Sequence, residues 1–107
     1  MPRYLIEVSH EPEVLACAGV VQVFLATGSH LLAQADWGCM DGQHTAWLIV
    51  EADSKEEARY VVPPALRTAA IITGLNCFSM EQIDSILSHH ERVTRASQAD
   101  HLYAELV

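Results

Sequence analysis

The sequence predicts a small α+β domain built around an antiparallel sheet. Along residues 3–10, apolar side chains occupy alternate positions from Tyr4 to Val8 and the positions between them are mostly polar, which is the pattern of a half-buried strand. Residues 12–27 carry apolar side chains at helical spacing and are followed by a glycine, where a helix C-cap belongs. Farther along, Asp41-Gly42 separates two apolar segments, which is a strong signal for a β-hairpin. A strand, a helix and a hairpin in this order indicate mixed α and β structure with antiparallel strands.

Length and composition are typical of one compact domain. We expect the 107 residues to form a single domain, 1–107, with a core over about 3–90 and a helical tail over 91–107. Because 50% of the residues are hydrophobic and only 19% are charged, we expect some apolar surface to remain for a second subunit. The predicted partner is therefore the chain itself, as a homodimer or a higher oligomer.

Charge and cysteine content argue against several classes of function. A formal net charge of −8 repels both the phosphate backbone of nucleic acids and anionic membrane surfaces. We therefore expect no nucleic acid and no membrane partner. The three cysteines are odd in number and widely spaced, which favours reduced thiols over a disulfide framework. The first residues lack the apolar stretch of a signal peptide, so we expect a cytoplasmic protein.

The first helix is predicted to face the core with residues spaced three and four apart. This stripe consists of Val14, Cys17, Ala18, Val21, Phe24 and Leu25. Cys17 is accordingly interpreted as a packing residue without a chemical role.

The hairpin determines which residues face each other across its two strands. The predicted strands span 31–40 and 43–52. The Asp-Gly dipeptide predicts a two-residue type I′ turn, and such a turn sets the register of the pairing. In this register Trp37 lies opposite Ala46. Cys39 lies opposite His44 on the same apolar face.

The second half of the chain repeats the signals for helices and a strand. Residues 54–57 and 79–82 are capping boxes, a serine followed three residues later by Glu or Gln, and they predict two helix starts. Two prolines at 63–64 interrupt the first of these helices. Residues 69–78 are predicted to form the fourth strand.

The predicted order of elements determines the architecture. Strand, helix, strand, strand, helix and strand, followed by an extra helix, is the split βαβ pattern of ferredoxin-like domains. In that arrangement the first strand lies between the third and the fourth. Helices cover one face of the sheet, and the other face, which is only partly polar, needs a partner. We therefore predict a ferredoxin-like α+β sandwich with an antiparallel sheet and an additional C-terminal helix.

Four features of residues 3–90 are also found together in a known superfamily. They are the order of elements, Gly28 ahead of the second strand, Trp37 with the Asp41-Gly42 hairpin, and the strand 47–51 closed by Ala52-Asp53-Ser54. With these features the chain resembles the dimeric α/β-barrel superfamily, whose sheets meet face to face across a two-fold axis. The resemblance implies a ferredoxin-like fold and a dimer. Members include cofactor-free monooxygenases, muconolactone isomerase-like proteins, haem-binding enzymes and metal-binding proteins, so no reaction and no catalytic residue is implied.

Two histidines and a cysteine are predicted to meet at one end of the sheet. Across the hairpin, the Cβ atoms of Cys39 and His44 should lie about 4.5–5.5 Å apart, close enough to share a metal. His10 ends the first strand on the helix-covered face, beside the start of the third strand. Two imidazoles and a thiolate can coordinate zinc, nickel, copper or iron and leave an open position. Asp41 is a candidate additional ligand, and Trp37 a candidate pocket residue. The prediction depends on the two-residue turn.

The same residues allow other interpretations. Cys39 can be a small buried hydrophobe, with His10 and His44 making ordinary hydrogen bonds at the strand ends. Cys39 can also be a thiolate nucleophile activated by a neighbouring imidazole. Three functions therefore stay open. The chain is a metal-binding protein, a monooxygenase or isomerase acting on a small molecule in a cavity between helices and sheet, or a non-catalytic binding subunit.

Overall fold

The computed structural model of the protein describes residues 1–97. Its strands are β1 (Arg3–Ser9), β2 (Asp36–Trp37), β3 (Thr45–Glu51) and β4 (Ala70–Leu75). Its helices are α1 (Val14–Ala26), α2 (His30–Ala33), α3 (Lys55–Val61) and α4 (Met80–Ser97), with 3₁₀ helices at Cys39–Asp41 and Pro64–Ala69. The end of the predicted tail, 98–107, lies outside the described residues.

The chain divides into two compact units. The first is Met1–Asn76, which contains all four strands, and the second begins at Cys77 and contains α4.

Among the described helices, none is both long enough and apolar enough to cross a membrane.

The sheet has four antiparallel strands in the order β2-β3-β1-β4. The predicted position of the first strand, between the third and the fourth, is confirmed. β1 pairs along its length with β3, where Ile6 lies opposite Leu48, and with β4, where Ile6 lies opposite Ile72. The first strand is thus the centre of the sheet, and its last residues lead directly to the candidate site.

One face of the sheet forms the core. Alternate residues of the strands pack with residues of the helices, as the period of two in a β-strand requires. The buried set is Ile6, Val8, Phe24, Leu32, Ala46, Leu48, Val50, Ala52, Ala58, Val62, Ala70 and Ile72. On the other face Ile49 and Ile71 are more than half exposed. The sheet therefore has one covered face and one face with exposed apolar side chains.

Both predicted capping boxes are confirmed. The Ser54 Oγ accepts a hydrogen bond from the Glu57 backbone N–H at 3.1 Å, and Glu57 Oε2 accepts one from the Asp53 N–H at 3.2 Å. At the start of α4, Ser79 Oγ accepts from the Gln82 N–H at 3.1 Å, and Gln82 Oε1 accepts from the Ser79 N–H at 2.8 Å. These side chains satisfy N–H groups that the helices leave unpaired, which typically contributes about 1 kcal/mol per cap.

The prediction of a long second strand over 31–40 is wrong. Ser29 Oγ accepts a hydrogen bond from the Leu32 N–H at 3.3 Å and so caps the short helix α2. Only two residues then pair with β3, although they do so in the predicted register, with Trp37 opposite Ala46. A short apolar segment does not distinguish strand from helix by its periodicity, and here the cap decides for helix.

The two-residue turn is also wrong. The Gly38 N–H donates to the Thr45 carbonyl at 3.1 Å, and the residues between them form a longer loop that contains the 3₁₀ helix. Gly42 has a φ of +82°, the left-handed conformation expected of it, but it ends this helix and donates its N–H to the Cys39 carbonyl at 3.1 Å. The left-handed conformation predicted for Gly42 is therefore confirmed, whereas the predicted length of the loop is wrong.

The predicted core stripe of α1 holds only in part. Phe24 is fully buried, whereas Val14 is 84% exposed and Leu25 is 59% exposed. α1 contains no charged residue and only one polar side chain, Gln22, so its periodicity does not determine which side faces the sheet. The side that faces the sheet includes Phe24 and Val20, both packed into the core cluster.

Candidate metal centre

Four side chains of the types that can bind a metal converge within the first unit. One donor atom from each of His10, Cys17, Cys39 and His44 lies within 4.8 Å of the others. The His10 Nε2 lies 3.0 Å from the Cys17 Sγ and 3.1 Å from the Cys39 Sγ. The Cys17 Sγ lies 3.3 Å from the His44 Nδ1. We call this group the His/Cys cluster.

The two histidines are held together by the sheet. The pairing of β1 with β3 ends at Ser9 opposite Thr45. One residue farther on, the His10 N–H donates to the His44 carbonyl at 3.0 Å and continues the ladder. Residues opposite each other on antiparallel strands project from the same face, and the imidazole rings meet edge-on with their centroids 5.7 Å apart.

Cys39 reaches the cluster from the loop between β2 and β3. It is the first residue of the 3₁₀ helix, directly after Gly38. A Cβ atom on Gly38 would lie 2.6 Å from the Gln43 carbonyl oxygen and 2.7 Å from the Trp47 ring, so only glycine fits there. The loop therefore brings Cys39 close to His44. The predicted closeness of these two residues is found, although a longer loop produces it and not a two-residue turn.

Cys17 is the member that the sequence analysis missed. It lies in the first turns of α1, one turn before Val20 and two before Phe24, and shares their sheet-facing side. The link from β1 to α1 is short, so the first turns of the helix lie over the end of β1, where His10 is found. The sequence contained a signal for this position. When the link between a strand and a helix is short, a residue at the start of the sheet-facing side of the helix lies near the last residue of the strand.

Burial favours the uncharged forms of two members of the cluster, His10 and Cys17. It lowers the pKa of His10 below the usual histidine range, and the imidazole of His44 lowers it further. Burial also raises the pKa of the Cys17 thiol, with additional contributions from the neighbouring Cys39. The charged forms of the His10 imidazole and the Cys17 thiol are thus disfavoured. A bound cation reverses that preference, since a coordinating thiol loses its proton outright.

The donor spacing is close to that of tetrahedral coordination. Bond lengths to zinc of about 2.0–2.1 Å for nitrogen and 2.3 Å for sulfur require neighbouring donors to lie roughly 3.3–3.8 Å apart. The three measured contacts, 3.0, 3.1 and 3.3 Å, are slightly shorter. Two sulfurs and two nitrogens form a donor set that structural zinc sites use. A metal therefore requires displacements of only a few tenths of an ångström at these contacts.

The outer support of His10 is incomplete. Its Nδ1 atom is buried and has no hydrogen-bond partner within the described part of the chain. Metal-ligating histidines usually donate their second N–H to an oxygen, which fixes the ring. The ring of His10 is instead positioned by packing, with its centroid 6.1 Å from that of Trp37.

The other two residues singled out in the sequence lie outside the cluster. Asp41 is exposed and is not among the four grouped donors. Trp37 is partly buried and packs edge-on against Phe24 with centroids 5.0 Å apart, so it supports the core beneath the cluster.

A large apolar groove opens beside the cluster. It has a volume of about 950 Å³. Its apolar walls include Val14, Val21, Leu25, Trp37 and Met40, and it is also lined by Cys17, Cys39 and His44. No Asp, Glu, Lys or Arg occurs among the described residues that line it. The sulfurs are therefore reachable from solution through an uncharged surface.

Comparison with known proteins does not assign the chain to a family. No protein-family model matches the sequence, no curated protein matches it significantly, and no solved structure matches it significantly.

Proposed function

We propose that this protein binds a transition metal ion through His10, Cys17, Cys39 and His44. The observation that carries the proposal is the convergence of four donor atoms within 4.8 Å of one another. Among zinc, nickel, copper and iron, zinc suits a tetrahedral set of two thiolates and two imidazoles best. The role that follows is a metal-stabilised or metal-carrying protein.

The test is reconstitution of the full chain, purified without a histidine tag and under reducing conditions. We expect one zinc per chain by elemental analysis. Cobalt(II) substituted at the same site should show the strong visible absorption of tetrahedral thiolate coordination. Substoichiometric zinc after reconstitution contradicts the proposal.

A matched pair of variants distinguishes the cluster from other thiols and imidazoles. Cys17→Ser/His44→Gln removes one donor of each kind from the cluster. Cys77→Ser/His30→Gln removes one of each kind from exposed positions outside it. Stoichiometric metal should be lost in the first variant and kept in the second. Equal metal content in both would show that the cluster is not the site.

A second candidate function is the binding of a small apolar molecule in the groove. The groove volume of about 950 Å³ and its uncharged walls support this candidate. We expect aromatic or aliphatic probes to bind more weakly to Leu25→Asp than to the wild type. Leu15→Asp is the control, because Leu15 is 84% exposed and is not a lining residue of the groove. Equal affinity for the two variants would exclude the groove as the binding surface.

We also propose that the chain is a ferredoxin-like domain that pairs with a second copy through its uncovered sheet face. Support comes from the strand order and from Ile49 and Ile71, which are 56% and 58% exposed on that face. Light scattering should find a dimer that Ile49→Asp/Ile71→Asp converts to a monomer, while Leu15→Asp stays dimeric. A monomeric wild type contradicts the pairing. A cytosolic location fits the metal-binding proposal, since the cysteine ligands must stay reduced.

A further inference from the structure

We propose that a hydroperoxide oxidises Cys17 and Cys39 to a disulfide and thereby releases the metal. The two Sγ atoms are within 4.8 Å of each other, and one atom, His10 Nε2, contacts both at 3.0 and 3.1 Å. The release of metal rests on the proposed function. The formation of the disulfide rests only on the position of the two thiols.

The two sulfurs lie close enough to react within one chain. A disulfide bond is about 2.05 Å long, so the sulfurs must approach by less than about 3 Å from their present separation. They belong to different elements, Cys17 to a helix and Cys39 to a three-residue 3₁₀ helix in a loop. A change of χ1 rotamer at either residue moves its sulfur without moving a strand.

The oxidant can reach both sulfurs. Cys17 and Cys39 are partly exposed and both line the apolar groove, whereas His10 is not a lining residue. A small neutral molecule such as hydrogen peroxide enters an uncharged groove without electrostatic repulsion. The two thiols therefore share one accessible surface, the wall of the groove. The His10 imidazole, which contacts both sulfurs, is not part of that wall.

The reaction balances in atoms and electrons. In the metal-free protein, one thiol loses its proton, the thiolate sulfur attacks hydrogen peroxide, the O–O bond breaks, and a sulfenic acid and one water form. The second sulfur attacks the sulfenic sulfur, the S–O bond breaks, and a second water leaves. The sulfurs together lose two electrons, the peroxide gains them, and the two thiol protons end in the waters. From the metal-bound thiolates, two protons come from solvent and the metal ion departs because both sulfur ligands are consumed.

The experiment uses the full chain with Cys77→Ser, in which Cys17 and Cys39 are the two remaining thiols. Metal-free and zinc-loaded samples are treated with hydrogen peroxide and analysed by intact mass, peptide mapping and a chromophoric zinc chelator. We expect both samples to lose the mass of two hydrogens and to yield a cross-linked Cys17–Cys39 peptide. The loaded sample should release one zinc ion per disulfide, and a dithiol reductant should restore the starting mass.

Three outcomes would overturn the inference. The first is a gain of oxygen on the sulfur of Cys17 or Cys39 without a cross-link. The second is a disulfide between two chains, and the third is zinc that stays bound after the disulfide has formed. A Cys39→Ser/Cys77→Ser variant is the control and should not lose the two hydrogens. If it does, the reaction takes place elsewhere.

The same samples separate this inference from the proposed function. A chain that takes up no zinc but still forms the intramolecular disulfide contradicts the proposed function and supports the thiol chemistry. A chain that binds one zinc but forms no cross-link contradicts the inference alone.

Discussion

The Cys17 sulfur contacts both imidazole rings of the cluster, at 3.0 Å from His10 Nε2 and 3.3 Å from His44 Nδ1. Because it completes a set of four donors, its removal should lower metal affinity more than the loss of an outer-shell partner does. We expect Cys17→Ser to weaken zinc binding by at least about 100-fold, the upper end of the outer-shell range. Competition with a chelator of known affinity measures the effect.

The exposed Cys77 supplies the control for this prediction. Cys77→Ser should bind zinc as the wild type does, since Cys77 is not among the grouped donors. If Cys17→Ser and Cys77→Ser have equal affinities, Cys17 is not a ligand and the original interpretation of it as a packing residue is correct.

His10 gives the metal-free protein a defined response to acid. Burial, and then the neighbouring His44, lower its pKa in the folded state. The unfolded chain therefore takes up the proton first as the pH falls, and folding stability falls with it. We expect the melting temperature of the metal-free wild type to drop below about pH 6.5, the usual histidine value, and this contribution to level off below the lower folded-state pKa.

The comparison that checks this response is between His10→Gln and His30→Gln. The first variant should show a smaller acid-induced loss of melting temperature than the wild type, because the buried imidazole is gone. The second replaces an exposed histidine and should follow the wild type. Identical acid profiles for all three proteins would show that His10 does not cause the loss.

At the scale of elements, the loop between β2 and β3 controls the position of Cys39. A Cβ at Gly38 would lie 2.6 Å from the Gln43 carbonyl oxygen, which is backbone and cannot move away cheaply. Gly38→Ala should therefore destabilise the protein by about 1–3 kcal/mol and weaken zinc binding as Cys39 shifts. Denaturant unfolding and metal titration measure the two effects.

Gly19 in the middle of α1 is the matched control. A Cβ there meets no atom within 4 Å, and glycine inside a helix costs about 0.5–1 kcal/mol relative to alanine. Gly19→Ala should therefore stabilise the protein slightly and leave zinc binding unchanged. If Gly38→Ala binds zinc as well as Gly19→Ala does, the loop does not set the position of Cys39.

Sequence patterns predicted those elements whose signals are local. The strand from Arg3, the helix starts at Ser54 and Ser79, and the central position of β1 follow from alternation, capping boxes and element order. The prediction of the second strand failed because the apolar segment after Ser29 fits a helix capped by that serine as well as it fits a strand. The prediction of a two-residue turn failed because a glycine with positive φ ends a 3₁₀ helix as readily as it forms a type I′ turn.

The candidate site shows the same division between local and tertiary information. His10, Cys39 and His44 were found because strand ends and a hairpin register bring them near one another. Cys17 was missed because its position on the core-facing stripe was interpreted as packing alone, and its nearness to His10 follows only when that stripe is combined with the short link from β1 to α1. Which thiol joins the cluster is decided by packing of the helix, which the pattern of a single helix does not contain.

At the scale of the whole molecule, the core is modest. Four of its twelve buried hydrophobic residues are alanines, and Phe24 is its one aromatic member among the described residues. Small apolar residues bury little surface, and small domains with limited cores gain much of their stability from bound metals or disulfides. We therefore expect metal binding at the His/Cys cluster to add stability to Met1–Asn76.

This argument predicts that zinc raises the thermal stability of the protein. At a free zinc concentration 100 times the dissociation constant, binding to the folded state alone contributes about 2.7 kcal/mol. For a unit of this size, that corresponds to an increase in melting temperature of about 10–20 °C. Calorimetry of the full chain across a zinc series should show a midpoint that rises with zinc concentration and returns on chelation. At the same zinc concentrations Cys17→Ser should show a much smaller rise. A wild type whose midpoint does not change when zinc is bound stoichiometrically would show that the cluster contributes nothing to stability.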